Sequence, residues 1–163
     1  MQSQSAFLEL LNQHRAVVYK LSRLYARDPD EQHDLFQEMV LQALTAWSRF
    51  EARSQFSTWL YRVCLNTALS WQRREQKRKQ AEADSMWELE NQNDPRHAQA
   101  EWLLEHMRRL DPTSRMLLSL KLDDYSMAEI ADITGLNVKQ ATVKIHRAKN
   151  QLTQWLQQNP LSI

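Results

Sequence analysis

The chain of 163 residues is long enough for one domain of ordinary size or two small ones. Its 42% hydrophobic and 25% charged residues belong to a soluble globular protein and exclude a disordered one. A net charge of +1 speaks against a generic polyanion binder, and the lone cysteine, Cys64, excludes an intrachain disulfide.

One glycine and four prolines leave little of the turn chemistry that hairpins need, so an all-α fold is expected. The start, MQSQSAFLELLNQHR, lacks the basic segment and apolar run of a signal peptide. No apolar run approaches the roughly 20 residues of a membrane helix. A reducing, cytoplasmic compartment is expected, with Cys64 a small buried residue instead of a reactive thiol.

Phe7, Leu10, Leu11, His14, Val17, Val18, Leu21 and Leu24 step by three and four, which predicts one long amphipathic helix. Pro29 ends it, and Asp30 and Glu31 suit the positive end of a second helix. That helix turns Leu35, Met39, Ala43, Ala46 and Trp47 inward. After WSRFEARSQ, a third begins near Gln55 as FSTWLYRVCLNTALSWQRR, with Phe56, Leu60, Val63, Thr67 and Trp71 on its inner side.

Arg62, Asn66 and Arg73 fall within about 40° of one another on a different side of that helix. Trp59 borders the core stripe, Tyr61 lies further round, and Trp47, Phe50 and Phe56 flank the preceding loop. Taken singly, each ring reads as core. Taken with the arginine stripe, the rings read as stacking platforms for unstacked bases in single-stranded or opened DNA.

Periodicity fades around 78–96 and resumes at Ala98–Leu110. Asp111 and Pro112 mark another helix start. The predicted organisation is an N-terminal helical bundle over 1–77, a flexible acidic linker over 78–97 and a helical domain over 98–163. In SMAEIADITGLNVKQATVKIHRAKN, Ser126 and Glu129 fit a capping box, and Gly135 stands where a turn needs a positive φ. Ile130, Ala131, Leu136, Ala141, Ile145, Ala148 and Leu152 would form the inner side. The result is a helix-turn-helix whose second helix turns out Lys139, Gln140, Val143, Lys144 and Arg147. Lys144 and Arg147 suit phosphates or guanine edges, and Gln140 suits adenine.

Charge is ordered along the chain. Residues 49–80 hold eight Lys/Arg against Glu51 and Glu75, residues 81–107 hold seven acids against Arg96, and 138–150 hold Lys139, Lys144, Arg147 and Lys149 with no acid. Two basic surfaces are hidden by a near-neutral total. The five histidines lie far apart without metal-ligand spacing, and no glycine-rich phosphate loop exists, so no enzyme activity, cofactor or metal is expected.

DLFQEMVLQAL at 34–44, FSTWLYRVCLN at 56–66 and the ending IHRAKNQL together resemble the extracytoplasmic-function, or group IV, sigma factors of bacterial RNA polymerase. Departures include Cys64 for the usual alanine and Gln140-Ala141 for a Thr-Val or Asn-Val pair. The resemblance implies an alternative sigma factor that directs promoter-specific initiation. It implies docking on the β′ clamp helices of core polymerase through Asp34, Leu35, Gln37 and Glu38. It implies −10 recognition with a flipped base in a pocket shaped by Phe50, Arg53, Ser54 and Gln55, with Trp59, Arg62, Asn66 and Arg73 nearby. The helix-turn-helix would read the −35 duplex and rest on the β flap, and an anti-sigma factor is a further implied partner. An autonomous helix-turn-helix repressor would leave the aromatic-basic helix and DLFQE idle. A helical adaptor would need neither opened DNA nor the turn glycine.

Overall fold

The computed structural model describes residues 3–81 and 95–159. The chain divides into two compact units, Met1–Ser85 and Met86–Ile163. Every regular element among the described residues is helical, as the composition implies.

The first unit contains α1 (Gln4–Gln13), α2 (Arg15–Tyr25), α3 (Pro29–Ala46), a 3-10 turn (Trp47–Arg49) and α4 (Phe56–Ala81). Helices α2, α3 and α4 pack against one another. Asp28 caps α3 by accepting from the Asp30 N–H at 2.8 Å, and Pro29 opens the first turn. The long N-terminal helix expected from the periodicity is in fact two. His14 separates them: its N–H reaches the Leu10 and Leu11 carbonyls, its ring Nδ1 bonds the Leu10 carbonyl at 3.0 Å, and the ring lies 5.4 Å from Phe56. The apolar stripe runs through the break, so periodicity alone does not show it.

The core of this unit joins Phe7, Val18, Leu21, Leu24, Leu35, Met39, Leu60, Tyr61, Cys64, Leu65 and Ala68. Two expectations change. Tyr61 is fully buried, and Val63 and Ala46, placed in the core by spacing, are half-buried. Burial pushes the Cys64 thiol up to about 12, so it is protonated at neutral pH and acts as a packing residue.

The second unit contains α5 (Pro95–Arg109), α6 (Pro112–Leu122), α7 (Met127–Thr134) and α8 (Val138–Gln158), with α6, α7 and α8 packed together. Leu117, Leu118, Leu120, Ile130, Ala141, Ile145 and Ala148 form its centre. Ala131, Leu136 and Leu152 are half-buried at its margin. Arg115 is 5% exposed and donates to the carbonyls of Met107, Arg108 and Leu110 at 2.7–3.1 Å. A guanidinium from α6 thus bonds the carbonyls at the end of α5, where intrahelical donors run out.

Helix α4 runs to Ala81 and α5 begins at Pro95. Helix therefore overruns both limits of the expected 78–97 linker, and Glu101 and Glu105, two of the seven acids counted over 81–107, belong to α5. The rest of the linker, 82–94, lies outside the described residues.

Candidate nucleic-acid interface

In the second unit, Ser126 accepts from the Glu129 N–H at 3.1 Å and the Glu129 carboxylate accepts from the Ser126 N–H at 2.7 Å, starting α7 with the expected capping box. Gly135 ends α7 at φ +75°. A Cβ there would meet nothing within 4 Å, so backbone conformation, not space, calls for glycine. Asn137 then caps α8: its side chain accepts from the Gln140 N–H at 2.8 Å, while Gln140 Oε1 accepts from the Asn137 N–H at 3.3 Å. This second capping box is absent from the sequence reading, which treats Gln140 as a base reader alone.

Helix α8 is anchored by Ala141, Ile145 and Ala148 and leaves Lys139, Gln140, Val143 and Arg147 exposed. Thr142, His146 and Lys149 share that solvent-exposed status. Lys144 differs: it is half-buried, and its charge acts on Asp111, the cap of α6. Burial pushes the Asp111 carboxyl up, but hydrogen bonds from Ser114 and the nearby Lys144 ammonium outweigh it and hold the group below its ordinary 3.8. Part of the Lys144 charge is therefore used inside the unit.

In the first unit, the rings mostly face each other. Phe7, Trp47, Phe50, Phe56 and Trp59 form one cluster with centroids 5.0–6.4 Å apart, and Phe50 stacks on Trp47 at 17°. The Trp47 indole N–H reaches the Ser3 carbonyl at 3.3 Å. With Trp47 and Phe56 buried, only Phe50 and Trp59 reach the half-exposed rim. The aromatic platform expected from composition narrows to those two rings.

Beside them, the loop 50–55 has Arg53 paired with Glu51 at 2.6 Å, both exposed, Ser54 half-buried and Gln55 exposed. Ala52 takes φ +53°, a strained conformation for an L side chain. Further along α4, Arg62 is half-buried while Asn66 and Arg73 are exposed. Asn66 lines a cleft of about 230 Å³ with Glu38, Gln42, Thr67 and Ser70. At 1.5 Å per residue, Asn66 stands about 15 Å beyond the helix start, and Arg73 about 25 Å. The loop and the stripe are therefore spread along about 25 Å of α4.

On α3, Asp34 and Gln37 are exposed, and Gln37 meets His33 at 2.9 Å. Glu38 is half-buried and accepts from Arg74 at 2.6 Å. Leu35 is 0% exposed and belongs to the core, so its expected place on a docking face is corrected: it holds α3 down while its neighbours face out. Glu31 lies 3.7 Å from both Arg78 and Lys79. Acids of α3 and cations of α4 thus line one shared edge.

Comparison with known proteins follows this division. The model for sigma-70 region 2 matches residues 10–78, and that for sigma-70 region 4 matches residues 100–152. The chain belongs to the sigma-70 family. Within it, the relatives are of the extracytoplasmic-function type, and the chain is an alternative sigma factor of transcription initiation. It is 24% identical to RNA polymerase sigma factor SigV of Bacillus subtilis, over 85% of this chain and 83% of the relative. It is 27% identical to ECF RNA polymerase sigma factor SigM of Mycobacterium tuberculosis, over 88% and 72%. Among solved structures, sigma factor RpoE in complex with the anti-sigma factor NepR, from Bartonella quintana, matches with a TM-score of 0.78 at 18% identity, covering 94% of this sigma factor and 98% of that chain. CnrH in complex with the cytosolic domain of CnrY matches with a TM-score of 0.72 at 22% identity, covering 96% and 91%.

Proposed function

We propose that the two units of this sigma factor divide promoter recognition between opened and duplex DNA. The first docks on core RNA polymerase through Asp34, Gln37 and Glu38. Its −10 strand follows α4 from Phe50, Arg53, Ser54, Gln55 and Trp59, past Arg62, to Asn66 and Arg73. The second reads the −35 duplex with Lys139, Gln140, Val143 and Arg147, while Lys144 serves both a phosphate and Asp111. Binding energy alone opens the strands, because the opened form is bound better, and no chemical step is assigned to any residue. A cytoplasmic location fits this role, and among the described residues no helix is long and apolar enough to cross a membrane. An anti-sigma factor is the expected regulator, supported by the two structural relatives, each solved with such a partner or a cytosolic partner domain.

The observation that carries the reading is the separation of faces on α4: Leu60, Cys64, Ala68 and Trp71 are buried while Asn66 and Arg73 stand exposed. A surface helix kept for packing alone also has a polar side, but ordinarily one of mixed charge, whereas 56–74 carries Arg62, Arg73 and Arg74 and no acid. The test is permanganate probing of a promoter. Unpaired thymines should appear with chain and core polymerase together and with neither alone. Duplex binding by the chain alone, with no thymine reactivity when polymerase is added, would instead mark an autonomous repressor.

A further inference from the structure

We infer that Gln140 meets its base pair as a hydrogen-bond donor only, and so selects guanine or thymine instead of adenine. The inference rests on the proposal that α8 reads duplex DNA and adds the chemistry of one contact. Pairing with adenine uses both ends of a glutamine amide: the oxygen accepts from N6 and the nitrogen donates to N7. In α8 one of the oxygen's two lone pairs is engaged, and that bond turns the atom back toward the helix start. It accepts from the Asn137 N–H at 3.3 Å, and the Asn137 side chain closes the box by accepting from the Gln140 N–H at 2.8 Å. That N–H is one of the groups a helix start leaves without an intrahelical partner, so the bond answers a standing need of the fold.

An amide is planar. With its oxygen turned back to the helix start, Gln140, which is solvent-exposed, presents its NH2 group as the outward end. A donor fits guanine, which offers O6 and N7 side by side, and next thymine, which offers O4. Adenine sets its own N6 donor beside N7 and opposes it, and cytosine presents only a donor.

Two substitutions separate this from a purely structural role. Gln140→Glu keeps the box, because a carboxylate accepts from the Asn137 N–H and suits the positive helix end. It removes the donor and leaves an acceptor, which suits cytosine. Gln140→Met keeps bulk and loses both. The full chain is assembled with core polymerase and offered a promoter library randomised through −35 with a fixed −10, and the retained DNA is sequenced.

The pair whose selection collapses in Gln140→Met is the one Gln140 faces. There the wild type should favour guanine, then thymine, over adenine by about fivefold to tenfold. Gln140→Glu should turn that preference to cytosine and leave other positions unchanged. Adenine favoured by the wild type, guanine retained by Gln140→Glu, or unchanged selection in both variants would overturn the inference while leaving α8 as reader. A wild type that selects nothing at any −35 position would overturn the parent proposal and this one with it.

Discussion

The two units solve the problem of presenting a DNA-binding face in different ways. In the helix-turn-helix, the core of α8 is small and apolar, Ala141, Ile145 and Ala148, and most of the outer residues stand clear of it. Their removal should leave the fold intact. In the first unit, rim and core are continuous. Phe50 stacks on buried Trp47, Trp59 packs on buried Phe56, and Glu38 is held by Arg74. At the loop 50–55 and on α3 function is tied to packing, so mutations there blur the two, whereas Asn66 and Arg73 of α4 stand clear of the core.

The sharpest break of that contrast is Trp47→Ala. Deleting a buried ring that touches Phe7, Phe50, Phe56 and Trp59 should cost about 3–5 kcal/mol. Thermal unfolding should show the first unit melting early, with strand opening lost and the −35 contact kept. Arg115→Ala is the counterpart in the second unit. Three carbonyls lose the guanidinium, although that of Met107 keeps the Leu110 N–H, which should cost about 2–4 kcal/mol and abolish duplex binding through unfolding. If −35 binding survived Arg115→Ala at full strength, α5 and α6 would not be needed to hold α8.

Smaller effects sharpen the comparison within the helix-turn-helix. Arg147→Ala should lower the salt-dependence slope of −35 binding by about 1 at unchanged stability. Lys144→Ala should lower it less and also shift acid unfolding. The Asp111 carboxyl titrates below 3.8 when folded, so its stabilising contribution is present above that pH and is lost as pH falls through the depressed value. Without Lys144 the depression shrinks and the acid midpoint rises. Equal slopes and equal acid midpoints in the two variants would erase the distinction between them. Smallest is Ala52→Gly, which relieves a positive φ at Ala52 and should stabilise the first unit by about 0.5–1 kcal/mol. A loss of stability in urea would show that the loop does not keep that conformation.

Local chemistry was the most legible part of the sequence. The Ser126–Glu129 box, the Asp111–Pro112 start and the Gly135 turn each rest on a few neighbouring residues, and each forms as expected. Long-range packing was hidden. Nothing near Arg115 marks it as buried, since its partners end another helix. Nothing in DLFQE shows that Glu38 meets Arg74, 36 residues away. Leu35 sits inside a motif but faces the core, because residue 35 falls on the same side of α3 as Met39 and Ala43. The break at His14 was invisible for the opposite reason: the stripe continues across it, without proline or glycine.

The division of labour is tested most directly by two exposed-residue variants in one pair of assays. Holoenzymes carrying Asn66→Ala or Arg147→Ala are compared for recruitment to duplex promoter and for permanganate reactivity at −10. Asn66→Ala should keep recruitment and lose about 1–3 kcal/mol of opening, whereas Arg147→Ala should lose recruitment and open normally once bound. If both variants lost recruitment and opening in the same proportion, the assignment of opened DNA to α4 and duplex DNA to α8 would be contradicted.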